Sequence, residues 1–319
     1  MKPKWALIST YKIYEDPNAS CRFLETFLNF YRQRWGITKF VLLFGIPHSV
    51  DKSCFRSIEN RLLSMEQNRS VSIHNLGVDR LPYLNQCTLN RNLSECDPSI
   101  DYLVYETSYS TRGMDWYSTQ KRLYQFVDNY LGSNYNRILN VDSDEFLCYD
   151  YPNNPNVNEL VKERFHFVDF VSSQSFDSKQ DLRWCVQPWY FRKGLPKEEF
   201  EADGIHHGLC KTFRFRRRHF KANSYHSGAS KKGDSCNMIS TNHFEKVTGN
   251  ICFHLNVLDR EHYMKVKARL FTRMHTGATF GKTDSELEAI FERYYLNTGD
   301  YPVITDNFLK KYWVQEPER

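Results

Sequence analysis

Three short apolar runs in the first 74 residues, separated by two stretches of helical periodicity, limit what this chain can fold into. Residues 4–10, 39–44 and 71–74 read as buried strands. Between the first two, Phe23, Leu24, Phe27, Leu28 and Tyr31 recur at helical spacing, with Ser20 as N-cap and Gly36 as the stop. Residues 54–66 form a charged amphipathic helix between the second strand, closed by Gly45 and Pro47, and the third. Strands joined through helices point to a parallel sheet, because parallel neighbours need a crossover connection.

The pattern weakens and then returns. Residues 75–113 are polar and turn-rich and suggest loops or short helices. Trp116, Leu123, Phe126, Val127 and Tyr130 mark a helix ending near Gly132, and residues 137–141 are a buried strand. A Pro/Asn-rich loop spans 151–158, and 168–172 reads as another strand. Residues 173–209 are irregular. Alternation over 211–220 favours a strand, 251–255 is a further short strand, and helices are expected over 259–271 and 284–295. Asp284 or Ser285 is the expected cap of the last helix.

The strand at 137–141 runs straight into Asp142-Ser143-Asp144-Glu145, followed by Phe146-Leu147. Like charges this close repel one another unless a cation or hydrogen-bond donors sit among them. In open α/β sheets, ligands bind beyond the carboxyl ends of the strands, where this cluster falls. Hard oxygen ligands suit Mn²⁺ or Mg²⁺, ions that keep several waters and take further ligands from substrate phosphates. A strand tip with two carboxylates therefore suits a metal-bound diphosphate better than a plain acidic turn.

The remaining composition narrows the partners. A formal net charge of +5 is too small for a dedicated nucleic-acid binder but suits an anionic small substrate. The acidic tip also repels nucleic-acid phosphates. The nine cysteines are dispersed without zinc spacing, which reads as reduced thiols in a cytoplasmic chain. No run approaches the roughly 18 to 20 apolar residues of a membrane span, so no transmembrane segment is expected.

Val141-Asp142-Ser143-Asp144-Glu145-Phe146-Leu147 resembles the D-x-D-E-F-[LI] signature of GT-A glycosyltransferases related to families 2 and 92. Other stretches agree in order. Tyr31-Arg32-Gln33-Arg34-Trp35-Gly36-Ile37 and the strand after it are similar to that group's second-strand region. Gln120, Lys211 and Phe253-His254-Leu255 followed by Tyr263 and Lys265 fall where the group carries Gln, Lys and a late His motif. The likeness covers roughly residues 4–45 and 115–270. The group's Asn-Glu pair is missing from the first turn, which here runs from Ser9-Thr10-Tyr11 to Glu15.

The resemblance implies one α/β domain of the GT-A, Rossmann-like kind, with a mixed, mostly parallel central sheet flanked by helices. Residues 1–150 would be the nucleotide-sugar-binding half, 151–270 the acceptor-binding half and 271–319 a C-terminal helical extension. It implies transfer of a sugar from a UDP- or GDP-linked donor to a glycan, lipid-linked or small-molecule acceptor, with inversion. Asp144 would bind Mn²⁺ or Mg²⁺, with Asp142 contacting the ribose or the metal and His254 completing the shell. Neutral imidazole tilts the choice toward Mn²⁺. His226 and His243 are rivals for that place. Thr10, Tyr11, Glu15, Gln120 and Lys211 would line the donor site. An acceptor base is needed to take up a hydroxyl proton, and Asp203 or Glu201 is the candidate. The same acidic tip would serve a nucleotidyltransferase or phosphohydrolase, although residues 9–18 hold no glycine for a phosphate loop. A non-enzymatic carbohydrate-binding module is the remaining alternative, permitted by the 15% aromatic content.

Overall fold

The fold is that of a computed structural model, which describes residues 5–13, 16–47, 50–67, 71–80, 99–107, 137–148, 165–172, 184–186, 207–208, 210–211, 236–237, 250–257, 259–268 and 281–296, with 123–124, 126–127, 130–131 and 134–135. The chain divides into two compact units, and the first of the breaks between them falls between Ser143 and Asp144, inside the acidic cluster.

Among the described residues, the first unit carries five strands: β1 (Trp5–Lys12), β2 (Lys39–Pro47), β3 (Ile73–Arg80), β4 (Ile100–Thr107) and β5 (Arg137–Asn140). They form one sheet in which every pairing is parallel, ordered β3-β4-β2-β1-β5. β1 and β2 are buried almost throughout, as expected of parallel strands covered on both faces. β2 runs three residues past the expected Phe44. Gly45 and Pro47 belong to the strand, paired with Tyr105 and Thr107 of β4. Gly45 is required there, because a Cβ at that position would lie 2.6 Å from the Tyr105 hydroxyl.

Two short helices follow β1. The Asp16 carboxylate caps α1 (Pro17–Ser20), accepting from the amides of Asn18 and Ala19, whereas the expected cap Ser20 ends that helix and the next one follows Phe23 with no side-chain cap. α2 (Leu24–Trp35) buries Leu24, Phe27, Leu28, Phe30, Tyr31 and Trp35 and stops, as expected, at Gly36, which adopts φ 62°. α3 (Arg56–Gln67) buries Ile58 and Leu62 and lies beside α2, where Arg61 donates to both Glu25 oxygens at 2.9 and 2.5 Å. An aromatic core joins these layers. Tyr11 packs on Phe27 and Phe44, and Phe44 on Phe55 and Tyr102. Each such ring contributes roughly 1.5–3 kcal/mol on burial.

β4 corrects the reading of residues 75–113 as loops or short helices. It lies inside the sheet, between β3 and β2. Its charged residues are buried but compensated. Lys39 Nζ is 2.8 Å from Asp101, and Lys52 pairs with Glu106. β3 is longer than expected and carries a bulge between Asn75 and Val78, where Gly77 adopts φ 104°.

The second unit holds β6 (Glu145–Cys148), β7 (Phe165–Ser172), β8 (Trp184–Val186), β9 (His207–Gly208), β10 (Cys210–Lys211), β11 (Cys236–Asn237) and β12 (Asn250–Val257). Its main sheet is mixed and ordered β10-β7-β12-β6, with β8 beside β7. β12 runs parallel to β7 and antiparallel to β6. β9 and β11 pair separately. The expected helix over 259–271 begins as Arg260–His262, capped by Asp259, and widens into a π turn at Tyr263–Lys267. α4 (Asp284–Phe291) is capped by Thr283, not by Asp284 or Ser285, in a reciprocal capping box with Glu286. Tyr263, Phe291 and Tyr295 pack ring to ring beneath it.

Among the described residues, no helix is long and apolar enough to cross a membrane, and Cys21 and Cys54 are free thiols.

Candidate functional site

β5 is short, and its end positions the acidic segment. It pairs with β1 up to Asn140 opposite Ile8, and the Val141 amide continues the ladder by donating to the Ile8 carbonyl at 3.2 Å. Beyond Val141 the chain turns, leaving Asp142, Ser143 and Asp144 partly exposed, before β6 begins. In the first unit the connection from β1 runs to β2 on one side, while β5 lies on the other. That reversal is the place where open parallel sheets bind ligands, beyond the carboxyl ends. Asp142 follows β5 at that reversal.

In the second unit, Asp144 is fixed by its backbone. Its carbonyl accepts the Leu255 amide at 2.9 Å, which sets it beside β12. The antiparallel register places His254 opposite Glu145. The result is a carboxylate and an imidazole brought together from positions far apart in the chain: His254 Nε2 lies 3.4 Å from Asp144 Oδ2, with side chains 17% and 24% exposed. Glu145 itself is buried at 2% exposure, so it sits in the sheet while its neighbour reaches solvent.

An oxygen and a nitrogen at this separation fit adjacent positions on one octahedral ion, which with bonds of about 2.1 Å stand about 3 Å apart. Two protein ligands leave the other positions to water and phosphate oxygens, the usual arrangement for Mn²⁺ or Mg²⁺ at a nucleotide site. Among the described residues, no group of three or more His, Cys, Asp or Glu side chains converges.

Comparisons with protein-family models, curated proteins and solved structures found no match.

The other expected site residues are placed unevenly. Thr10 is buried at 4% exposure, its hydroxyl 3.4 Å from that of Tyr124. Tyr11 is 1% exposed, with its ring packed between Phe27 and Phe44 in the core. Lys211 stands on β10 with its backbone opposite Phe165, but its side chain lies outside the described residues. Glu15, Gln120, Glu201, Asp203, His226 and His243 also lie outside them.

One charged pair at the carboxyl end of the first sheet was not expected. Glu106, next to last in β4, has its side chain 10% exposed and pairs with Lys52, which is 40% exposed. The available signal was a run, Ile-Asp-Tyr-Leu-Val-Tyr-Glu-Thr, in which an apolar strand carries an acid near each end.

Proposed function

We propose that this chain is a metal-dependent glycosyltransferase that moves a sugar from a nucleotide-sugar donor to an acceptor hydroxyl with inversion, in the cytoplasm. The observation that carries the reading is the convergence of Asp144 and His254 at 3.4 Å beside a strand tip. The parallel sheet with its reversal at β1 and β5, and the resemblance of residues 141–147 to a glycosyltransferase signature, support it.

Asp144 and His254 would hold the cation, Mn²⁺ being favoured by the imidazole. When bound, a divalent cation offsets the charge that develops on a departing diphosphate. The protein's own groups do the rest. Asp142, following β5, is suited to accept a hydrogen bond from a ribose hydroxyl. The acceptor oxygen attacks the anomeric carbon, the bond from that carbon to the phosphate oxygen breaks, and the hydroxyl proton passes to a carboxylate, Asp203 or Glu201. Lys211 is the cation assigned to the leaving phosphates.

Calorimetry of UDP- and GDP-sugars with and without Mn²⁺ tests the proposal. Binding should require the metal, and Asp144→Ala should abolish that dependence in a protein whose circular dichroism is unchanged. Metal-independent binding that survives the substitution would overturn it. Release of phosphate or pyrophosphate from simple esters, with no sugar transferred, would favour a phosphohydrolase or nucleotidyltransferase instead.

A further inference from the structure

We propose that His74 and Asp101 form a proton-operated latch: one proton held between them draws the edge strand β3 against β4, and its loss at higher pH releases that edge. The device lies wholly within the first unit and is independent of what the chain binds.

The parallel register sets His74 opposite Asp101, near the amino ends of their strands. Asp101 meets its two close partners with a single oxygen. Oδ2 takes both the Lys39 ammonium, at 2.8 Å, and the Tyr130 hydroxyl, at 2.6 Å. Asp101 Oδ1 and His74 Nδ1 are both buried, have no hydrogen-bond partner and stand 3.8 Å apart. That gap exceeds a hydrogen bond, and a buried polar atom left unpaired is costly. One proton satisfies both atoms at once, whether Nδ1–H donates to Oδ1 or Oδ1–H donates to Nδ1. Nδ1 is buried while the side chain is 42% exposed, so the remainder of the ring meets solvent. A neutral imidazole can carry its single N–H on that solvent side, which leaves Nδ1 bare against the carboxylate.

Among the described residues, the charged and titratable groups on this face of the sheet beside His74 are Asp101 on β4, Lys39 on β2 and Tyr130. Glu59 of α3 lies on the opposite face, where Asn75 and Tyr102 meet it. Burial disfavours the Asp101 anion and so favours a proton at the pair. Two groups this close titrate as a unit, and histidine is the side chain whose charge ordinarily changes between about pH 5 and 8. The folded chain holds the shared proton more tightly than the unfolded one, so the latch is closed at low pH and opens as pH rises. β3 is built to respond. Among the described residues it ends the sheet and pairs with β4 alone. Its bulge follows directly, between Asn75 and Val78, with Gly77 at φ 104°. The residues before the bulge can therefore move by the roughly 1 Å that closes the gap without resetting the pairs beyond it.

Hydrogen–deuterium exchange of the full chain from about pH 5.5 to about pH 8 tests the latch, with rates corrected for the intrinsic pH dependence of amide exchange. Protection over residues 73–75 should fall at least about fivefold across that range, the effect of losing one hydrogen bond to a charged group, while β1 and β2 keep theirs. His74→Phe has no proton to share and should hold the low protection at every pH. His74→Asn sets an amide N–H in place of Nδ1 and should hold the high protection at every pH. Both changes fall on a side chain that is 42% exposed, so the fold should survive them. Wild-type protection that ignores pH overturns the latch. So does a pH dependence that persists in full in either variant.

Discussion

Asp101 lies at the amino end of β4 with a fully buried carboxylate, held by Lys39 Nζ at 2.8 Å and by the Tyr130 hydroxyl at 2.6 Å. Burial raises its carboxyl above the ordinary range by more than Lys39, Tyr130 and His74 lower it. A raised folded-state value means that the folded protein holds this proton more tightly than the unfolded chain does. The associated stability is therefore complete below the ordinary carboxylate range and is lost as pH rises through the raised value. The stability advantage of wild type over Asp101→Asn, read from urea midpoints, should accordingly shrink as pH increases just above that range. An advantage that grows over the interval would contradict the assignment. Lys39→Met should be the harsher change at neutral pH, leaving the carboxylate buried without its ion-pair partner at a cost of about 3–5 kcal/mol. Residues of this kind are hard to read from sequence. A charge inside an apolar run argues against a strand until its partner is known, and Lys39 lies 62 positions from Asp101. The acidic tip at 142–145 was legible for the opposite reason, since its charges are clustered and come directly after an uninterrupted strand. His254 could be singled out only through resemblance, because the contact with Asp144 depends on how β12 pairs with β6.

Helices and strands here end for local reasons that single substitutions can separate. Gly36 closes α2 at φ 62° with no atom within 4 Å of where a Cβ would stand, so Gly36→Ala meets backbone strain alone and should cost about 1–2 kcal/mol. Gly45 has ordinary backbone angles but faces the Tyr105 hydroxyl at 2.6 Å from a Cβ, so Gly45→Ala instead pushes β4 or its ring aside. Overpacking of that kind costs about 1–3 kcal/mol, and because the ring carbon Cζ of Tyr105 would also stand only 2.7 Å away, it is the addition of Tyr105→Leu, which shortens the side chain, that should recover part of it. If the double substitution recovered nothing, steric contact would not be the cause. Thr283→Ala removes one arm of the capping box and should lower stability by about 0.5–2 kcal/mol, seen first as faster amide exchange at the start of α4. These elements also show what could be read in advance. β1, β2, α2 and β5 declare themselves because both faces of the parallel strands are apolar and the glycine stop is explicit. β4 was hidden by its acids. The caps differ from those expected for two reasons: Thr283 competes with Asp284 and Ser285, which composition alone does not rank, and the helix for which Ser20 is the expected cap begins at Leu24 with no side-chain cap at all.

Asp144 and His254 are separated by 110 positions and meet only when β6 and β12 pair in register, so the pair exists in the folded chain and not in the unfolded one. Whatever binds it therefore binds the folded state selectively and must stabilise that state by mass action. This gives the metal proposal a readout independent of turnover. At free Mn²⁺ about a hundredfold above its dissociation constant, the stabilisation should be about 2.7 kcal/mol, visible as a rise in the thermal midpoint. Asp144→Ala and His254→Ala should each remove most of that rise. Each side chain is partly exposed, so neither substitution opens a large cavity, and the midpoint without metal should change little. Asp142→Ala should behave differently, because Asp142 belongs to the first unit, at the end of β5, whereas the pair is built entirely within the second. It should keep most of the rise given by Mn²⁺ alone and lose the further rise given by UDP or GDP in its presence. If instead the three variants lost the metal response equally, the cation would be gripped by the whole acidic tip and the pair with His254 would not be its anchor. If none lost it, the ion would be binding elsewhere, and the convergence of Asp144 with His254 would be an ordinary contact between two strands.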